Sequence, residues 1–212
     1  DALEMDLALP DVPAISERAI VALPDDVGRR SFDAFGLSVR SLLEPHNPFG
    51  GVTWNLSKDG LIVDGRIERT PGALVTVPRV WTEFGSIVTE QARHFKVPVE
   101  LTVATICAES GGNAGSFRIE PGWKDDDSTP HRVSVGLMQT LISTAREALA
   151  ETSIDRAHLL DPGNSIRAGT AYIDRQRHLT RLDPPLVACA YNAGSLILNG
   201  GDFVAVRREF KI

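Results

Sequence analysis

The sequence predicts an α+β protein in which a mainly α-helical domain, residues 81–212, follows a small mixed module of short helices and β-hairpins, residues 1–80. Three observations predict it. Apolar residues recur with a period of two around Val52, Trp54 and Leu56, and at spacings of three and four from Phe84 onwards. Proline and glycine interrupt the first part at Pro10, Pro13, Pro24, Gly28, Gly36 and Pro45. Later, Asp161-Pro162 and Asp183-Pro184 read as helix starts, a capping carboxylate followed by a proline whose missing N–H costs nothing there.

Taken in order, short helices are expected over residues 14–22 and 31–43, the second capped by Ser31. A β element follows, with turns at Lys58-Asp59-Gly60, Asp64-Gly65 and Thr70-Pro71-Gly72, and ends near Pro78. Phe84, Ile87, Val88, Ala92 and Phe95 then mark one face of a helix. Pro98 is expected in the first turn of the next helix, and Val99 to Ala108 is apolar enough to be buried on every side. Ser143 is expected to cap a helix through Ala145 and Leu149. The helix after Asp161-Pro162 carries Ile166, Gly169 and Ile173 on one face, and the helix after Asp183-Pro184 ends at Gly194.

The composition narrows the functional classes. A net charge of -6, with no clustered basic surface, argues against nucleic acid as a partner. No stretch resembles a membrane span, and the sequence does not open on a charged-then-apolar leader, so a targeting segment is expected to be either absent or already removed. Cys107 and Cys189 lie in apolar helical segments and are expected as free, buried thiols.

Glu109 is the charge that stands out. It falls where an apolar helix stops, with Gly111-Gly112 available for the turn that ends it. The carbonyl end of a helix and apolar surroundings both disfavour a carboxylate and push its pKa up. A carboxyl group so placed either pairs with a basic residue or stays protonated near neutral pH and serves as a general acid. Asp125, Asp126 and Asp127 lack the central glycine and distal glutamate of a calcium loop and read as a solvated acidic loop. His46, His94, His131, His158 and His178 show no metal-ligand spacing, so neither metal nor cofactor is expected.

Glu109-Ser110, Gly136-Leu137-Met138-Gln139, Thr144-Ala145, Asp161-Pro162 with Asn164-Ser165-Ile166 and Gly169, and Ala190-Tyr191-Asn192-Ala193-Gly194 occur in one order over residues 82–195. Together they resemble the catalytic domain of the lysozyme-like SLT-type lytic transglycosylases. Thr140-Leu141-Ile142-Ser143 and the preceding module further resemble a phage- or prophage-associated subgroup, endolysin-like cell-wall hydrolases. The resemblance implies a monomeric enzyme of the cell envelope, periplasmic, wall-bound or secreted, whose partner is the glycan strand of peptidoglycan. It implies Glu109 as the single catalytic acid/base, cleaving the bond between N-acetylmuramic acid and N-acetylglucosamine with formation of a 1,6-anhydromuramoyl end. A muramidase using water, or a silent glycan-binding component of a phage or secretion apparatus, are the alternative readings.

By the same resemblance Ser110, Met138, Gln139, Tyr191 and Asn192 contact substrate. Each has a plainer reading beside that one: Met138 as core filling, Ser110 as a helix-end cap, Tyr191 as a buried hydroxyl needing a partner. Gln139 must find partners for its amide whichever role it has. Two stretches depart from the family pattern. Residues 119–133 are longer than in compact members and are expected to form a lid or a subsite wall, and residues 195–212 carry no family feature.

Overall fold

The computed structural model describes residues 43–46, 53–57, 60–68 and 75–196. The helices expected over 14–22 and 31–43, Leu43 apart, the turn at 70–72 and the tail beyond Leu196 lie outside the described residues.

Three short strands, β1 (Trp54–Ser57), β2 (Gly60–Val63) and β3 (Arg66–Glu68), pair in antiparallel order, with Trp54 opposite Val63 and Leu61 opposite Glu68. The turn at Asp64-Gly65 is where the sequence places it. Trp54 is buried against Leu61 and Val63 and stacks on His46 at 4.7 Å, but its period-two companion Leu56 is exposed, since a sheet this small covers little on either face.

The helical part begins with α1 (Thr76–Phe95). Val80, Phe84, Val88 and Ala92 are buried at intervals of four, so one stripe of α1 faces the core. The helix starts at Thr76, which sets the expected division at residue 80/81 inside its second turn. At its end Lys96 turns left-handed (φ 55°) and its N–H returns to the carbonyls of Ala92 and Arg93.

Helix α2 (Val99–Glu109) follows at once, with Pro98 just before its first residue rather than within its first turn. Leu101, Thr102, Val103 and Ile106 are buried, whereas Ala104, Ala108 and Glu109 are exposed. The expected burial on every side is therefore corrected. Neighbouring helices cover one flank only, and alanines occupy the flank they leave open.

Strand β4 (Phe117–Ile119) pairs antiparallel with β5 (Val133–Val135), which pairs with β6 (Thr140–Leu141). The turn between β4 and β5 is closed locally. The Asp125 carboxylate accepts the N–H groups of Asp127 and Ser128 at 3.1 and 2.7 Å, and Asp126 is held by Arg156 at 2.6 and 2.8 Å. Helix α3 (Ile142–Leu149) starts directly from β6. Leu141 is still extended there, so Ser143 lies inside the first turn and its expected capping role does not hold.

Helices α4 (Arg156–Leu160), α5 (Pro162–Arg175), α6 (Arg177–Thr180) and α7 (Pro184–Ala193) complete the described chain. Asp161 caps α5 as expected, its carboxylate accepting the Asn164 N–H at 2.9 Å, and Ile166, Gly169 and Ile173 are buried along one face. α7 ends at Gly194 in the left-handed region, φ 83°. Cys107 and Cys189 are free but half-buried, because each sits beside a core face rather than within it.

Among the described residues, the two larger of three apolar clusters in the helical part hold it together around the second sheet. One joins α1, α2, α5 and α7 through Val80, Phe84, Ile106, Leu137, Ile166 and Val187. The other, with Val133, Val135, Ile142, Ile154 and Leu159, fixes the second sheet against α3, α4 and α5. Burying each such side chain contributes about 1.5–3 kcal/mol, so the turn carrying Leu137 and Met138 is anchored from both sides. Among the described residues no helix is long and apolar enough to cross a membrane.

Candidate active site

Glu109 closes α2 at the mouth of a cleft of about 330 Å³ between the second sheet and α5 and α7. One wall is the face of the sheet carrying Arg118, Ser134 and Leu141, continued by Glu120 and His131; the other brings Tyr172, Tyr191, Asn192 and Gly194. Gln139, Thr140 and Thr144 line the base. Four of the six residues singled out in the sequence, Glu109, Gln139, Tyr191 and Asn192, therefore line one cavity.

Burial raises the Glu109 carboxyl pKa above the ordinary glutamate value, although the residue keeps part of its surface open to solvent. Its negative charge in turn adds to the rise in the Tyr191 pKa, which burial chiefly causes. The carboxyl group of Glu109 and the Tyr191 phenol thus share one electrostatic environment.

The Gly136–Gln139 turn is the piece to which the other motifs attach. Gly136 N–H donates to Ser116 at 2.7 Å, and Gln139 N–H closes the turn on Gly136 at 3.2 Å. The Gln139 amide nitrogen donates to the carbonyls of Ser116 at 3.0 Å and Gly136 at 2.8 Å, while its oxygen accepts from Ser134 Oγ at 3.2 Å. That amide finds its partners in the protein, and the side chain holds the loop leaving α2 against the turn.

Ser110 and Met138 are not among the cleft-lining residues. Ser110 Oγ donates to the Leu137 carbonyl at 2.6 Å and accepts the Gly112 N–H at 3.2 Å, tying the end of α2 to the turn. Met138 is wholly buried, takes the space beside Gly169 and donates its N–H to Ser165 Oγ at 3.2 Å. Its contribution to the cleft is through its carbonyl, which accepts the Tyr191 hydroxyl at 2.8 Å.

Tyr191 Oη also lies 3.0 Å from Thr140 Oγ1, and its ring meets Tyr172 edge-on at 5.3 Å. Tyr172 donates to the Gly194 carbonyl at 2.7 Å and closes the rim. Tyr191→Phe removes the donor to a buried carbonyl, and the expected loss of stability is about 1–3 kcal/mol. Urea denaturation checks it; a midpoint equal to that of the parent would contradict this role.

Sequence reading left Arg118, His131, Ser134 and Tyr172 without a role in the cleft. Phe117-Arg118-Ile119-Glu120 alternates apolar with charged residues, a strand signal that would have set Arg118 and Glu120 on a common face. Among the described residues no group of three His, Cys, Asp or Glu side chains is placed to hold a metal ion.

A helical core, a three-stranded antiparallel sheet forming one wall of a cleft, and a glutamate at a helix end beside that cleft define a lysozyme-like α+β domain. The transglycosylase SLT domain matches residues 86–200, over half of the chain, and the chain belongs to that family. Membership makes it a transglycosylase-type domain that acts on peptidoglycan. No curated protein matches the chain.

Proposed function

We propose that this domain is a peptidoglycan lytic transglycosylase in the strict sense, with Glu109 as its acid and then its base. The observation that carries the reading is Glu109 itself, a carboxyl group of raised pKa at a helix end, facing a cleft bounded by Tyr191, Asn192 and Gln139. A raised pKa lets the group hold its proton to a higher pH than an ordinary glutamate does, which favours a general acid.

In the first step Glu109 gives its proton to the glycosidic oxygen between N-acetylmuramic acid and N-acetylglucosamine as that bond breaks. The carboxylate so formed takes the proton of the muramoyl 6-hydroxyl while that oxygen bonds to C1. The proton removed from the 6-hydroxyl restores the acid, no water is consumed, and a 1,6-anhydromuramoyl end results. Internal attack has the advantage that nucleophile and electrophile belong to one bound sugar. The cell wall or periplasm is where such a domain meets its substrate.

Glu120 supports a second reading, hydrolysis, because it places another carboxylate on the cleft wall, as two-carboxylate glycosidases require. Mass analysis of products from purified murein separates the two. Lytic cleavage is expected to give muropeptides one water lighter than hydrolytic ones, and reducing ends alone would establish the muramidase instead.

A further inference from the structure

We propose that Arg118 is a specificity-determining residue that binds a carboxylate carried by the sugar in the cleft. The inference rests on the reading of this cleft as one for peptidoglycan. Strand register sets Arg118 opposite Ser134 on the face lining the cleft, while Phe117 and Ile119 lie opposite the buried Val135 and Val133 on the other face. Glu120, two residues on, returns to the Arg118 side, and its N–H donates to the Arg132 carbonyl at 2.8 Å, which fixes the strand end.

The Arg118–Glu120 contact is made through Nε, at 3.0 Å from the Glu120 carboxylate. A guanidinium oriented through Nε keeps its two terminal amino groups for another partner, and this side chain is 73% exposed into the cleft mouth. Two parallel N–H donors match the two oxygens of a carboxylate, a fit a point charge does not reproduce. The protein carries a net charge of -6, and Glu109 and Glu120 face the same cleft, so an acidic substituent needs a local cation to enter. Arg118 supplies that cation, with His131 beside it on the wall.

Two carboxylates on the strand fit this description: that of the lactyl ether on the muramoyl sugar, and those of the peptide attached through it. The test uses the full chain with Glu109→Gln, which holds glycan without turnover, and measures dissociation constants for three probes. Chitohexaose has no carboxylate, amidase-stripped strands have the lactyl carboxylate alone, and peptide-bearing strands have the peptide carboxylates.

Adding Arg118→Gln is expected to weaken carboxylate-bearing probes about tenfold, the effect of losing one charge-assisted pair, and to leave chitohexaose unchanged. Arg118→Lys should restore part of the loss, and the loss should shrink as salt rises. The lactyl carboxyl is free only where the peptide has been removed and is an amide elsewhere. A loss on stripped strands alone therefore assigns the lactyl group, a loss on peptide-bearing strands alone assigns the peptide, and a loss on both means that either carboxylate reaches Arg118. Equal weakening of chitohexaose, or unchanged affinity for all three, overturns the inference while leaving the wild-type product masses to stand for the reaction. Failure of every probe to bind, with no release from murein by wild type, overturns both.

Discussion

Glu109→Gln is expected to lower the rate of muropeptide release from murein by about 10²–10⁴-fold, the usual contribution of a positioned general acid. The amide keeps the shape of the side chain and removes the transferable proton, so far-ultraviolet circular dichroism should be unchanged. An active Gln variant would remove Glu109 from the reaction. The same substitution has a signature in stability that an inert surface glutamate would not give. Burial raises the folded-state pKa of Glu109, so the native protein holds this proton more tightly than the unfolded chain does. The group therefore costs nothing below the ordinary carboxyl range, and its penalty develops as pH rises through the raised pKa. Relative to the parent, the Gln variant should gain stability as pH rises from the ordinary carboxyl range through the raised pKa, and keep that gain above it. A difference independent of pH would contradict the raised pKa.

Gly136→Ala is expected to cost at least about 3 kcal/mol, a large share of the stability of an ordinary domain. Two effects add. Gly136 has φ 77°, a region that costs an L-residue about 1–2 kcal/mol. Its Cβ would also stand 2.1 Å from the Leu159 carbonyl oxygen and 2.6 Å from Ser165 Oγ, and the first is backbone that a rotamer change cannot move. Gly122→Ala is the comparison, since Gly122 has φ 87° but nothing within 4 Å of an added Cβ. It should show the backbone cost alone. Equal urea midpoints for the two variants would mean that the turn shifts to accommodate the methyl group.

Much of this architecture is legible in the sequence where a local rule decides the outcome. Asp161-Pro162 caps and starts a helix because a carboxylate three residues before a free N–H can reach it. The stripe along α1 follows from helical spacing, and Glu109 stands at a helix end because two glycines follow it. What local rules leave undecided depends on partners distant in sequence. Met138 points beneath the turn rather than into the cleft because α5 brings Gly169 against it, and a four-residue turn has no periodicity to reveal that. Ser143 has a capping residue's composition, yet β6 pairs with β5 and holds Leu141 extended, so the helix begins two residues earlier. The charged wall of the cleft required the register of β4 against β5. The roles of the motif residues divide accordingly: Ser110, Gln139, Ser165 and the Tyr191 hydroxyl position one turn, whereas Glu109 and Asn192 face the open space beside it.

The early start of α1 bears on how the chain can be divided. Arg79 donates to the Gly111 carbonyl, and a Val80 methyl lies 2.7 Å from where a Cβ on Gly112 would stand. Both residues belong to the helix that precedes α2, yet they brace the two glycines immediately after Glu109. A fragment beginning at residue 81 would keep every family motif and lose the support behind the carboxylate. A fragment that keeps the whole helix from Thr76 is therefore expected to retain that brace, and one that begins inside the helix is expected to lose it.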